Sequence, residues 1–169
     1  VNQVAYHPRA GLDFPIIIRA LLRQDPDVIM IGEIRDAATA ELATQAAQTG
    51  HLVLSTLHTR NAYGSLARLK NLGIDHETIE SCLLCASSQR LVRRVCPKCR
   101  GNQVALKSPC PICKGSGIAG RIGVHEVLSK AQLLNQDLAD LSMRNAGMEY
   151  VNQGIITQAS LNAEMGTWQ

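Results

Sequence analysis

The pattern of apolar and polar residues in the first half of the chain alternates between helical and strand-like stretches. One apolar face runs along a predicted helix from Phe14 to Arg23, and the short apolar run from Val28 to Ile31 predicts a strand that is buried on both faces. An alanine-rich stretch predicts a second helix from Ala37 to Thr49, and Leu52 to Leu57 fits a second strand. Strand, helix and strand in this order indicate a parallel α/β sheet.

Helical patterns follow this predicted sheet. One helix is expected from Asn61 to Leu72, and another from Asp75 to about Val95, where apolar residues recur at helical spacing. Cys82 and Cys85 lie beside that apolar stripe, so we predict that both are small buried side chains rather than ligands.

The rest of the chain mixes several patterns. Residues 96–120 are rich in Cys, Pro and Gly, and a short strand-like piece spans 122–127. A helix is expected around Ala131 to Arg144, with leucines along one face, and from Gly147 onward the sequence is polar and only weakly periodic.

Composition excludes several classes of protein. With 46% hydrophobic residues the chain is too apolar to be disordered, and without an apolar run of about 18 residues it has no predicted bilayer span. The sequence begins at Val1 without a charged segment followed by a long apolar one, so we expect no signal peptide and interpret it as part of a longer protein.

Charge is unevenly distributed along the chain. Eight basic residues and no acidic ones lie between Arg90 and Arg121, which leaves the rest of the chain with a net charge of −5. The basic segment either compensates nearby thiolates or docks an acidic partner or an anionic membrane face. Nucleic acid is disfavoured as a partner because no aromatic residues alternate with the basic ones.

Two candidate catalytic groups follow the predicted strands. Glu33 follows the first strand after Gly32, where a carboxylate would serve Mg²⁺ or orient an attacking water, and Arg35 is long enough to reach a phosphate or a neighbouring subunit. Thr56 and His58 fall at the end of the second strand, two residues apart, and could contact a phosphate or the same water. The alternative is a strand that ends in a solvated turn, with ordinary polar residues at both strand ends.

Four cysteines have the spacing of a metal site. Cys96 and Cys99 form one Cys-x₂-Cys pair, ten residues separate them from the pair Cys110 and Cys113, and no secretory signal favours disulfides. Four thiolates would close a tetrahedral Zn²⁺ site with no open position, so a structural role is expected.

The stretch from Leu22 to Asp36, followed by Thr49-Gly50-His51 and Ser55-Thr56-Leu57-His58-Thr59, resembles the secretion-ATPase superfamily. It is most similar to the GspE/PilB-like branch, the type II secretion and type IV pilus assembly ATPases. The zinc-bearing members of this branch also have a tetracysteine element, which is followed by a segment similar to residues 120–126 of this chain. The resemblance extends from about Gln3 to about Leu128.

The resemblance implies roles for individual residues. Glu33 matches the Walker B acid and His58 the histidine of the His box, with Thr56 and Arg35 beside them. Arg19 and Arg23 match a segment whose arginines stabilise phosphates within or between subunits of a ring. The Walker A pattern Gly-x-x-x-x-Gly-Lys-[Ser/Thr] and the family's acidic box are absent, so this chain alone should not hydrolyse ATP.

The implied fold is α/β: a partial RecA-like P-loop NTPase parallel sheet followed by a mainly helical C-terminal region with a zinc hairpin. Residues 1–74 would be the C-terminal part of the ATPase core, 75–128 a helix plus the zinc hairpin, and 129–169 a helical tail. The family also implies ATP with Mg²⁺, a hexameric ring, and a cytoplasmic position beneath inner-membrane platform and assembly proteins of a secretion or pilus machine.

Two other functions stay open at this point. The chain could be a non-catalytic, zinc-containing interaction module that kept the fold of such an ATPase. It could also be a zinc-ribbon nucleic-acid binder, which the cysteines and the basic segment support but which leaves Leu22 to Asp36 unexplained.

Overall fold

The computed structural model describes residues 2–102, 109–135 and 143–165. Its helices and strands follow in the order α1 Phe14–Leu22, β1 Val28–Ile31, α2 Ala37–Gln48, β2 Leu52–Ser55, α3 Gly64–Asn71, α4 His76–Cys82, β3 Cys85–Val95, β4 Ile118–Ser129, α5 Lys130–Asn135, α6 Met143–Asn152 and α7 Gln158–Met165. They group into two compact units, residues 1–59 with 63–84, and residues 60–62 with 85–169. None of the helices among these residues has both the length and the apolar character that a bilayer crossing requires.

The first unit is an α/β layer built on the parallel pair β1 and β2, as the sequence predicts. Val28 pairs with Leu52 and Ile31 with Ser55, while α2 makes the crossover between the strands. Asp36 begins α2 by accepting a hydrogen bond from the Thr39 backbone N–H at 2.8 Å, which satisfies one of the donors that a helix N-terminus leaves free.

The core of the first unit lies on one face of these strands. Its buried members come from β1 and from all four helices or their flanks, and include Ile18, Ile29, Ile31, Ala40, Ala43, Ala46, Leu69 and Ile79. The prediction that β1 is buried on both faces is wrong in this structure, because Val28 is 53% exposed and Met30 is 76% exposed. Leu52 and Leu54 of β2 share that open face.

The second unit is a long antiparallel hairpin of β3 and β4, covered on one face by α5, α6 and α7. Its apolar core consists of Val92, Val124, Met143, Ile156 and Leu161. The hairpin extends from the pair Cys85 and Ser129 to the pair Val95 and Ile118, beside the cysteine cluster. This arrangement confirms a parallel sheet followed by a C-terminal region with helices and a cysteine-bearing hairpin.

The predicted helix from Asp75 to Val95 is wrong beyond Cys82, where the chain becomes strand β3. The inward-facing positions of β3 include the polar residues Ser88 and Arg90, so the alternation of apolar and polar residues that marks a strand is hidden. Cys85 is consequently exposed at the start of β3 rather than buried, and Cys82 is half-buried.

Other element boundaries differ less. Strand β2 ends at Ser55 instead of Leu57, helix α3 begins at Gly64 instead of Asn61, and β4 is longer than the predicted 122–127. Of the helix expected from Ala131 to Arg144, α5 covers the start and α6 begins at Met143, whereas residues 136–142 lie outside the described residues. The polar tail forms most of α6 and α7, which are anchored by buried Leu161.

Candidate functional site

The backbone beyond β1 and β2 keeps the two strand ends side by side. The backbone N–H of Ile34 donates to the carbonyl of Thr56 at 3.0 Å, and the Thr56 hydroxyl donates to the carbonyl of Gly32 at 2.7 Å. Because β2 ends at Ser55, Thr56 and His58 lie in the segment that follows the strand rather than on its face. These bonds align that segment with the residues after β1 and so bring Glu33 and His58 together.

The carboxylate of Glu33 is the centre of this cluster. Its Oε2 lies 3.0 Å from Nε2 of His58 and 2.6 Å from Nε of Arg35. A carboxylate can only accept, so Nε2 of His58 must carry the proton in this pair. Glu33 is 22% exposed, and its Oε1 has no hydrogen-bond partner among the described residues, which leaves that oxygen for a water or a cation.

The neighbours of Glu33 favour its charged form. The hydrogen bond from Arg35, followed by the one from His58, lowers the pKa of the Glu33 carboxyl below its ordinary value. The same contact with Glu33 raises the pKa of the Arg35 guanidinium. Glu33 therefore stays ionised, and able to accept from water or bind Mg²⁺, to a lower pH than an isolated glutamate.

The Arg35→Gln variant should titrate Glu33 at a higher pH than the unchanged chain, because the largest cause of its lowered pKa is lost. A carboxyl whose pKa is lowered on folding stabilises the fold above its ordinary pKa, and the contribution disappears as the pH falls through the lowered value. NMR titration of the Glu33 carboxyl carbon measures the shift. Arg144→Gln, on α6, is the control; an unchanged Glu33 pKa in Arg35→Gln would contradict the assignment.

Arg19 of α1 and Arg23, the C-cap residue that follows this helix, stand apart from this cluster. Arg19 and Arg23 are four residues apart and exposed, and their side chains form no hydrogen bond or ion pair with any residue that the structure describes. Neither contacts Glu33 or His58. Their predicted role toward phosphates stays a prediction.

Arg68, on α3, is a residue that the sequence did not single out. Its Nη2 donates to the carbonyl of Arg35 at 2.9 Å, and within the described part of the chain its buried Nε has no partner. Arg68 thus holds the backbone of the segment after β1. In the sequence it looks like any arginine of a surface helix, so no signal could have found it.

The four predicted cysteine ligands form one buried cluster. The Sγ atoms of Cys96, Cys99, Cys110 and Cys113 all lie within 4.8 Å of one another. Cys96 and Cys110 are 3.8 Å apart and Cys99 and Cys113 3.6 Å apart at sulfur. Tetrahedral Zn–S bonds of about 2.3 Å require sulfurs about 3.8 Å apart, whereas a disulfide requires about 2.0 Å. The cluster therefore fits a zinc ion and not disulfides.

Each cysteine pair lies on the same backbone turn. The two hexapeptides read Cys-Pro-Lys-Cys-Arg-Gly and Cys-Pro-Ile-Cys-Lys-Gly, from residues 96 and 110. In both, the N–H of the fifth residue donates to the carbonyl of the first, at 2.8 Å for Arg100 and 2.7 Å for Lys114. Both of these residues adopt a positive φ, near 50°, so that the chain curls around the two thiols.

The electrostatics of the cluster favour the binding of a cation. Burial raises the pKa of the Cys99 thiol to about 12, while the hydrogen bond from the Cys99 backbone N–H lowers that of Cys96. Four thiolates need a divalent ion to coexist at neutral pH. The basic residues of this region would offset the negative charge that remains on four thiolates with one divalent ion.

A family model described as type II/IV secretion system protein matches residues 1–166. The chain belongs to this family.

Relatives agree with this assignment along most of the chain. The "Protein transport protein HofB homolog" of Haemophilus influenzae is 46% identical over 98% of this chain and 34% of the relative. "Type II secretion system ATPase E" of Vibrio cholerae is 38% identical over 92% of this chain and 38% of its own length. "Type IV pilus assembly ATPase PilB" of Thermus thermophilus is 54% identical over 57% of this chain and 11% of its own.

Solved structures agree on the fold. The ATPase DotB of Legionella pneumophila superposes with a TM-score of 0.68 over 92% of this chain and 42% of that one, at 22% identity. The pilus retraction motor PilT with bound ADP gives a TM-score of 0.67 over 88% of this chain and 42% of that one, at 26% identity. The chain spans about a third of the length of the first two relatives, so the activity of a whole protein is a separate question.

Proposed function

We propose that the chain is the C-terminal part of a hexameric ATPase that powers type II secretion or type IV pilus or pseudopilus assembly. Family membership and relatives described as a secretion ATPase and pilus assembly ATPases support this function. The observation that carries it is the 3.0 Å contact between Glu33 and His58, which joins the ends of two adjacent parallel strands. This edge of an α/β sheet is where nucleotides bind.

The polar residues of this edge have distinct roles in the proposal. Glu33 orients the attacking water through its unpartnered Oε1, and the same oxygen suits Mg²⁺ bound directly or through water. When bound, Mg²⁺ neutralises charge on the phosphates. His58, whose proton faces Glu33, and Thr56, held on the Gly32 carbonyl, together respond to the γ-phosphate. Arg35 offsets charge that develops in the transition state.

Arg19 and Arg23 serve phosphates within the subunit or across a ring interface. Their free guanidinium groups, with no bonds to the described residues, are available for such a partner. A homo-hexameric ring, located in the cytoplasm at the inner face of the bacterial membrane, would then act on inner-membrane platform and assembly proteins. The division into residues 1–74, 75–128 and 129–169 remains a prediction, and the cysteine cluster is given a structural Zn²⁺.

The test compares the full-length native protein with residues 1–169 alone. We expect the full-length protein to assemble into hexamers and hydrolyse ATP at about 1 s⁻¹ or faster, within the common range for enzymes. The isolated chain should show no turnover above background, because it contains no Gly-x-x-x-x-Gly-Lys-[Ser/Thr] loop to hold the triphosphate. Phosphate release measures ATP hydrolysis, and light scattering measures assembly into hexamers.

A full-length protein that forms a ring without hydrolysing ATP would contradict this proposal. The closed four-thiolate cluster would then favour the other candidate, a non-catalytic zinc-containing interaction module. Hydrolysis by the isolated chain would contradict the assigned dependence on a separate phosphate-binding loop.

A further inference from the structure

A segment of three residues that follows the His box, Arg60–Ala62, lies in the same compact unit as the hairpin of β3 and β4. Arg60–Ala62 form part of the second compact unit, although the residues before and after them belong to the first. A single residue, Thr59, separates this segment from His58. Whatever holds Arg60–Ala62 therefore restrains the chain directly beyond a proposed catalytic group.

Two side chains of the hairpin hold the segment by its backbone. The N–H of Ala62 donates to Oε2 of Glu126 at 2.7 Å, and Nη2 of Arg90 donates to the carbonyl of Arg60 at 2.6 Å. Glu126 accepts a hydrogen bond from one end of the segment and Arg90 donates a hydrogen bond to the other, so the two side chains fix both ends of the three-residue segment. Both involve a charged group, which makes them stronger than bonds between neutral groups.

Glu126 is an unusual residue for its place in the strand. It lies on the inward face of β4, between Val124 and Leu128, which are 0% and 1% exposed, and is itself only 9% exposed. A buried carboxylate is costly unless its oxygens accept hydrogen bonds. Packing of the hairpin would be served better by an apolar residue, so the acid here is explained by its bond to Ala62.

The position of Arg90 on the hairpin supports the same explanation. It lies two register positions along the hairpin from Glu126, since Ser88 faces Glu126 and Arg90 faces Val124. The two charged side chains therefore project from the same face of the hairpin. Because the strands are paired along nearly their whole length, this face is a rigid anchor for the segment that it holds.

We propose that Glu126 and Arg90 are positioning residues that anchor Arg60–Ala62 and thereby keep His58 in register with Glu33. The inference rests on the proposed function, in which His58 and Glu33 act on ATP. Neither residue touches nucleotide in this proposal. Their effect is confined to the geometry of the catalytic pair, on which a displacement of about 1 Å has a large effect.

The experiment uses the full-length protein and two substitutions at Glu126. Glu126→Leu has no acceptor for the Ala62 N–H, and we expect kcat to fall about tenfold or more while KM for ATP stays within about twofold. Glu126→Gln keeps an acceptor oxygen of similar reach and should retain most of kcat. Arg121→Gln, which removes an exposed arginine from the opposite face of the hairpin, is the control and should leave both constants unchanged.

Arg90 gives a second, independent pair of variants. Arg90→Met keeps most of the side-chain length but removes the donor, whereas Arg90→Lys retains one. We expect the same split, with a reduced kcat for Arg90→Met and partial recovery for Arg90→Lys. This pair decides the question if Glu126→Leu does not fold.

Combination with His58→Ala separates positioning from a general structural effect. If Glu126 acts through His58, then Glu126→Leu should reduce kcat little further in a His58→Ala background. Additive losses, or an equal loss in Glu126→Gln and Glu126→Leu, would overturn the positioning role and leave the proposed function intact. A His58→Ala variant with unchanged kcat would overturn the role of His58 and, with it, this inference.

Discussion

Glu33→Gln in the full-length protein should reduce ATP turnover by about 100-fold or more and leave ATP binding nearly unchanged. The amide keeps the size of the side chain but lacks the negative charge that faces Arg35 and His58. It can neither orient an attacking water as a base nor offer a charged oxygen to Mg²⁺. Removal of one preorganised electrostatic group from an active site commonly costs about 10²–10³-fold in rate.

Two measurements check this result. Steady-state phosphate release gives kcat, and equilibrium binding of a fluorescent ATP analogue gives Kd, which should stay within about threefold because binding depends mainly on a phosphate loop. Glu41→Gln is the matched control, since it makes the same chemical change at an exposed position of α2. A kcat for Glu33→Gln equal to that of Glu41→Gln would remove Glu33 from the catalytic machinery.

Cys110→Ser should abolish zinc binding and destabilise the second unit. The four sulfurs are buried and spaced for one tetrahedral ion, so loss of a single thiolate leaves an incomplete site. A structural zinc site contributes its binding energy to folding. We expect the metal content to fall from about one Zn²⁺ per chain to nearly none, and the melting temperature to fall by about 10 °C or more.

Cys85→Ser provides the control for this variant. Cys85 is exposed at the start of β3 and lies outside the cluster, so its substitution should change neither metal content nor melting temperature. Elemental analysis after purification without chelators measures the zinc, and calorimetry measures the stability. Full retention of zinc by Cys110→Ser would contradict a four-cysteine site.

The cysteine cluster shows how much a local pattern can reveal. Two short Cys-x₂-Cys turns place each pair of sulfurs by local backbone geometry, so the four candidate ligands could be predicted from their spacing. Only the folded chain shows that the two turns face each other with sulfurs at 3.6–3.8 Å. The sequence predicts a hairpin at the cysteines, but it does not predict strand β3, which leads up to them, because residues 85–95 have a helical pattern.

The misinterpretation of β3 has a specific physical cause. A strand is recognised when its inward positions are apolar, but Ser88 and Arg90 face inward and are polar. Arg90 holds the Arg60 carbonyl, a partner 30 residues away in the sequence. Arg90 is explained by this tertiary contact and not by the pattern of a strand. The periodicity of the sequence alone therefore favoured a helix where the structure has strand β3.

Glu33 and His58 could be selected from the sequence because both follow strand-like segments and match family boxes. What tertiary structure added is their 3.0 Å contact through one oxygen, which also lowers the pKa of Glu33. Arg68 and Glu126 were not found, since each acts on a backbone group more than 30 residues away. For Glu126 the available signal was an acid at an inward position of an apolar strand.

The sequence alone predicts the parallel β1–α2–β2 layer, the family, and the four cysteines as candidate metal ligands, because each depends on interactions among near neighbours or on a fixed short spacing. The β3–β4 hairpin and the contacts that hold the segment after His58 become visible only in the folded chain. Those features depend on contacts between residues that are far apart in the sequence. The free energy of such contacts does not appear in the local periodicity of apolar residues.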